Sequence, residues 1–151
     1  MGIQTVVVTE DEADIRGLIQ AILGASGIDV RTAPTGTTGI NAVFDHVPDF
    51  VILDFDLPDI YGLEVIELIR IFTNVHILMF TGHEDIAEKL TLAGANAVMT
   101  KPFRPRALKA RSTKHYSFHS KNHKAGLRAD ALPATSAMNL SEANASPLDG
   151  R

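Results

Sequence analysis

The chain has 151 residues, 45% of them hydrophobic and 21% charged, and it contains no cysteine. That length suits one domain with a sizeable core, and the composition excludes global disorder, a fibrous chain, disulfides and thiolate metal sites. The net charge of −4 hides a split, because residues 1–103 carry 5 Lys+Arg against 15 Asp+Glu (−10) while residues 104–151 carry 9 against 3 (+6).

An acidic module followed by a basic segment is therefore expected. No apolar run approaches the length of a membrane span, and the start, MGIQTVVVTEDE, turns acidic too early for a secretion signal. A cytoplasmic protein without membrane contact is the expectation.

Ile3 to Thr9 reads as a first strand, apolar on both faces at Val6 to Val8, and runs into Glu10, Asp11 and Glu12. Ile15, Leu18, Ile19, Ile22 and Leu23 form a helical stripe that ends near Gly24 and Gly27. In the second strand, Ile28 to Ala33, apolar residues alternate with Asp29 and Arg31, as an edge strand allows. Ile40, Val43, Phe44 and Val47 mark a second helix, stopped by Pro48.

The third strand, Phe50 to Asp54, drives straight into Asp54, Asp56 and Asp59, with Pro58 and Gly62 among them as turn formers. Carboxylates beside buried apolar surface lose hydration, which penalises their charge unless a cation, a proton or hydrogen bonds compensate. Leu63, Ile66 and Ile69 mark a third helix, and His76 to Phe80 a fourth strand followed by Thr81 and Gly82. Ile86, Leu90 and Ala93 mark a fourth helix ending at Gly94, then Ala97 to Thr100 a fifth strand followed by Lys101, and Pro105 suits the first position of a fifth helix.

Five βα units with short connections predict right-handed crossovers and an α/β, doubly wound, five-stranded parallel sheet. After Leu108 the core-facing positions fall on Ser112 and His115, so the fifth helix is expected to lose its buried side near Arg111. The domain is accordingly bounded at 1–111, with 112–151 a basic, mobile tail without an output domain.

Glu10, Asp11, Asp54, Thr81 and Lys101 all fall at strand carboxyl ends. In an open α/β sheet these ends share the rim where ligands bind, so the acids read as a cation and phosphoryl site.

Residues Gln4 to Leu108 closely resemble the receiver domain of two-component response regulators. The resemblance rests on EDE at 10–12, D-x-D-L-P-x-x-x-G at 54–62, FTG at 80–82, AGA at 93–95 and KPF at 101–103. It implies a flavodoxin-like sheet of order 2-1-3-4-5. It also implies that Asp54 accepts a phosphoryl group from a histidine kinase or a histidine phosphotransfer protein, as a phosphoacceptor and not a turnover enzyme.

Mg2+ would be bound directly by Asp11 and Asp54, through water by Glu10, and by the main-chain carbonyl of Asp56, while Lys101 and Thr81 contact the phosphoryl group. The output would be a two-state surface of helix 4, strand 5 and helix 5 presented to a downstream protein target, and the resemblance admits a homodimer. A cis Lys101-Pro102 bond is expected to aim the ammonium, and Asp56 and His83 to line the approach to Asp54.

Three departures from the family pattern stand out. Val98 replaces the aromatic residue usual three positions before the lysine, so no ring is available to swing and backbone movement is left to carry the signal. The segment from Thr81 to Lys101 is slightly short, and Glu10 replaces a more usual Asp.

Two other readings compete with this one. A haloacid-dehalogenase type phosphatase is suggested by Asp54-Phe55-Asp56, but that family places its nucleophile after the first strand. A structural adaptor with a vestigial site is the other. In the tail, His115, His119 and His123 recur every four residues, yet a polar tail is favoured over a metal site. Lys and Arg residues around Tyr116 and Phe118 suit nucleic-acid phosphates, but no helix-turn-helix pattern exists, so sequence-specific DNA binding is not expected.

Overall fold

A computed structural model describes residues 4–112. The sheet has five parallel strands, β1 (Thr5–Thr9), β2 (Asp29–Ala33), β3 (Phe50–Asp54), β4 (His76–Thr81) and β5 (Ala97–Thr100), in the spatial order β2-β1-β3-β4-β5. Between them lie α1 (Ala13–Gly24), α2 (Gly36–His46), α3 (Gly62–Arg70) and α4 (Ala87–Ala93), the last preceded by a 3-10 turn at Glu84–Ile86. Residues 105–112 form α5, with Pro105 at its first position as expected.

Alternation along the central strands sorts their side chains onto two faces. Val7, Val51, Leu53, Ile77 and Met79 pack with Ile40 and Val43 of α2, Val65, Ile66 and Ile69 of α3 and Leu90 of α4. On the other face Val6, Val8, Phe50, Ile52, Leu78 and Phe80 meet Ile19 and Leu23 of α1 and Leu108 of α5. Each such side chain contributes roughly 1.5–3 kcal/mol of apolar burial, so the unbroken apolar runs select the centre of the sheet.

Some expectations are corrected in detail. Leu18 is 45% exposed, because α1 buries the face through Ile19 and Leu23 and leaves Leu18 on its flank. Val65, absent from the predicted stripe of α3, is fully buried. Ser112 is also fully buried, so α5 still faces the core at 112 with a small hydroxyl-bearing side chain instead of losing contact near Arg111. The tail histidines, Tyr116 and Phe118 lie outside the described residues.

Two backbone features stop helices. Gly94, at φ 127, ends α4 in a conformation that favours glycine, whereas Val47 ends α2 at φ 44, a left-handed conformation unusual for a β-branched residue. Among the described residues, no helix is long and apolar enough to cross a membrane.

Candidate functional site

The parallel register brings the predicted residues together. Thr9 pairs with Leu53, Asp54 with Phe80 and Thr81 with Thr100, so Glu10, Asp54, Thr81 and Lys101 stand along one carboxyl rim. The β4–β5 ladder continues one rung further, the Lys101 N–H donating to the Thr81 carbonyl at 2.8 Å. Phe103 stacks at a tilt on Phe80, ring centres 5.0 Å apart, which ties the KPF segment to the strand carrying Thr81. The Lys101-Pro102 bond is cis.

At the centre, Lys101 Nζ lies 3.0 Å from Asp54 Oδ1 and 3.4 Å from Glu10 Oε1. Asp54 and Glu10 are buried, while Asp11 is exposed at the mouth. One carboxylate oxygen from each of Glu10, Asp11 and Asp54 falls within 4.8 Å of the others. Three carboxylates thus face one ammonium, leaving uncompensated negative charge.

The protonation equilibria register that imbalance. Burial, and then the charge of Asp54, push the Glu10 carboxyl up to about 7 against the pull of Lys101. Burial also raises Asp54, opposed chiefly by its hydrogen bond with Lys101. For Lys101, burial acts against the charged form, but its hydrogen bond and attraction to Asp54, and then its attraction to Glu10, outweigh it and raise the pKa.

The donor set fits Mg2+. Hard divalent ions take oxygen ligands, and Mg2+ commonly binds through one or two carboxylates plus substrate phosphate and water. Glu10 Oε1 is buried without a hydrogen bond, its contact with Lys101 being an ion pair only, so an acceptor stands ready for a cation or a cation-bound water.

The acids from 54 to 59 divide into three roles. Asp54 joins the cluster. The Asp56 side chain turns outward, its Oδ2 lying 3.8 Å from His83 Nε2, while its N–H points to Asp54 Oδ1 at 3.4 Å. Asp59 leaves the site altogether, accepting from the Gly36 and Thr37 N–H groups at the start of α2. Asp59, which the expected cation set did not include, is satisfied by these backbone N–H groups and needs no cation.

Thr81 is fully buried, and its Oγ1 accepts from the His83 N–H at 2.9 Å. A side chain at Gly82 would meet open space, so the approach is unobstructed there. Gly62 is less a turn former than a point of close approach, because a Cβ there would lie 2.8 Å from the Phe55 Cα. Val98 is partly buried against the core, in the position expected of it.

Sequence reasoning missed Arg16. From α1 its Nη1 donates to the carbonyls of Glu10 at 2.7 Å and Asp11 at 3.2 Å, holding the main chain of the acidic loop. A six-residue spacing to a carbonyl has no sequence signature. Arg70 was also missed: its guanidinium donates to the carbonyls of Gly94, Thr73 and Val75 and to Asn96, fastening the α4–β5 connection to α3.

Residues 6–113 match the family described as the response regulator receiver domain. The chain belongs to that family. It is 36% identical over 110 residues to the "Probable transcriptional regulator ycf27" of Guillardia theta, covering 72% of this chain and 43% of that protein. Against the "DNA-binding response regulator MtrA" of Mycolicibacterium paratuberculosis it is 32% identical over 110 residues, 72% of this chain and 49% of that protein. The chain thus spans less than half the length of these curated relatives. The fold matches a CheY-like response regulator receiver domain from Methanospirillum hungatei, with TM-score 0.75 and 24% identity over 80% of this chain and 99% of that one.

The receiver assignment connects the chain to two-component phosphorelays. Receiver domains use Mg2+ with an acidic pocket, here Glu10, Asp11 and Asp54.

Proposed function

We propose that the protein is a phosphoacceptor response regulator in which Asp54 takes the phosphoryl group of a histidine kinase or a histidine phosphotransfer protein. The observation that carries this reading is the Asp54 carboxylate, buried at the rim, 3.0 Å from the Lys101 ammonium and within 4.8 Å of oxygens of Glu10 and Asp11.

An Asp54 oxygen attacks phosphorus, forming an acyl-phosphate O–P bond as the P–N bond of the donor phosphohistidine breaks and its imidazole nitrogen leaves with the electron pair. Lys101 pairs with the negative oxygens of the transferring group, whose loose transition state needs positioning and charge neutralisation more than covalent help. When bound by Asp11, Asp54, the Asp56 carbonyl and, through water, Glu10, Mg2+ adds further neutralisation of those oxygens. The chemistry is one transfer per acceptor and no turnover enzyme is proposed.

Thr81 would then exchange its His83 N–H contact for donation of its hydroxyl to the phosphoryl oxygen, drawing the loop after β4 inward. With Val98 in place of a ring, the backbone of that loop carries the change to the surface of α4, β5 and α5. A pocket of about 350 Å3 walled by Phe55, Tyr61, Leu63, Ile86 and Leu90 lies between the acceptor loop and α4. A downstream protein, a homodimer and a cytoplasmic setting accord with this reading.

The test is intact mass after incubation with acetyl phosphate and magnesium chloride. One phosphoryl adduct on the wild type and none on Asp54→Asn supports the reading; no adduct from acetyl phosphate or from a phosphodonor kinase refutes it. A second reading, control of DNA, is favoured by the names of the longer ycf27 and MtrA relatives and by the +6 charge of residues 104–151. A mobility shift that survives a rise in salt and prefers one sequence would support it.

A further inference from the structure

Residues Phe55 to Tyr61 join β3 to α3 and carry Asp56. The loop is closed at its base, where Phe55 N–H donates to the Phe80 carbonyl at 2.8 Å and Gly62 N–H to the Phe55 carbonyl at 2.9 Å. At its middle it is held to a different element. Asp59 Oδ1 accepts from Gly36 N–H at 2.7 Å and Ile60 N–H at 2.9 Å, and Oδ2 accepts from Thr37 N–H at 3.0 Å.

An α-helix begins with four N–H groups that have no partner within it. In α2, Asp59 satisfies those of Gly36 and Thr37, Thr35 Oγ1 takes Thr38 N–H at 3.1 Å, and Thr38 Oγ1 takes Thr35 N–H at 3.1 Å. Half of the helix start is thus capped by a carboxylate more than twenty residues away in the chain, placed where the helix dipole favours negative charge. Burial of Asp59 acts to raise its pKa, but the Thr37 and Gly36 donors outweigh it and hold the carboxyl below its usual range. The packing is close as well, since a Cβ on Gly36 would lie 3.2 Å from Asp59 Oδ1 and from the Ile60 Cβ.

The same turn of α2 also abuts the other half of the site. A Cβ on Gly39 would collide with the Thr9 side chain, and Thr9 directly precedes Glu10. The start of α2 is therefore a common abutment for the loop that follows Asp54 and the strand that presents Glu10 and Asp11.

We propose that Asp59 is a positioning residue for phosphoryl acceptance, whose clamp on α2 holds the loop that presents the Asp56 main chain and so sets the divalent-cation affinity of the site. The inference rests on the phosphoacceptor reading above. It assigns Asp59 no contact with the cation or the phosphoryl group.

The experiment uses the full chain and three variants, Asp59→Ala, Asp59→Asn and Thr35→Ala. The last removes a cap from the same helix start without touching the loop. Magnesium chloride is titrated calorimetrically, and initial phosphorylation rates with acetyl phosphate are read by intact mass over a range of Mg2+ concentrations. A residue that hydrogen-bonds a metal ligand typically contributes at least tenfold to affinity, and Asp59 acts one step further out through the loop, so Asp59→Ala is expected to raise the Mg2+ dissociation constant by up to about tenfold. Asp59→Asn, which keeps one acceptor oxygen, should fall between it and the wild type. Saturating Mg2+ should restore the maximal rate of Asp59→Ala, and Thr35→Ala should lower stability with Mg2+ affinity unchanged.

Equal effects of Asp59→Ala and Thr35→Ala on Mg2+ affinity, or none from either, would overturn the proposal and reduce Asp59 to a helix cap. A wild type that binds Mg2+ but takes no phosphoryl group would sink the phosphoacceptor reading while the Mg2+ comparison still decides the clamp. A wild type that binds no Mg2+ would overturn both.

Discussion

Glu10 gives the site a stability signature that metal removal exposes. Its carboxyl titrates at about 7 in the folded protein against 4.5 in its ordinary state. Because the folded pKa is raised, the protonated form is favoured by folding; this stabilisation is complete below pH 4.5 and is lost as pH rises through 7. The shift of about 2.5 units, at 1.36 kcal/mol per unit, corresponds to roughly 3 kcal/mol.

For a domain of this size that amounts to a fall in Tm on the order of 10 °C. Urea unfolding in chelator at pH 5 and pH 8 measures it, with Glu10→Gln as the background that cancels the titrating groups not coupled to Glu10. Wild type should lose roughly 2–3 kcal/mol more than Glu10→Gln between the two pH values, since at pH 5 the unfolded chain's carboxyl is already largely ionised. Magnesium chloride at pH 8 should recover stability by mass action, about 2.7 kcal/mol at a hundredfold excess over the dissociation constant. Parallel pH profiles for wild type and Glu10→Gln would refute the account of Glu10 as a buried carboxylate strained by Asp54.

Three further outcomes are expected. Gly39→Ala should destabilise the fold by about 1–3 kcal/mol in urea titrations, because the added methyl collides with Thr9 and α2 must lift from β1. Val47→Gly should stabilise it by about 0.5–1 kcal/mol on the same assay, since glycine takes φ 44 without the cost a β-branched residue carries. Arg70→Met should cost about 3 kcal/mol and speed amide exchange in the α4–β5 connection, because the carbonyls of Gly94, Thr73 and Val75 lose a charged donor.

Much of the site was legible because each member sits at or just past the end of a strand, and strands announce themselves by apolar runs. Glu10, Asp11, Asp54, Thr81 and Lys101 could be placed on one rim without coordinates, since parallel strands in a doubly wound sheet all end on the same side. Asp59 was harder. In the sequence it is the third acid of a tight group, and nothing local says that its carboxylate turns away to cap α2 across 23 residues. Arg16 and Arg70 were invisible for a related reason, because both act on carbonyl groups, which every residue possesses.

Hydrophobic patterning alone thus determined the element order, the two-faced sheet and the set of polar residues at its rim, because burial acts on side-chain type and period. Only the tertiary structure decided which carboxylates share a cation and which satisfy a helix. It also decided how far α5 stays buried at Ser112, and that Gly62 serves close approach. Those outcomes depend on distances of a few ångströms between segments remote in the chain, and long-range hydrogen bonding to the backbone leaves no periodic trace in the residues that make it.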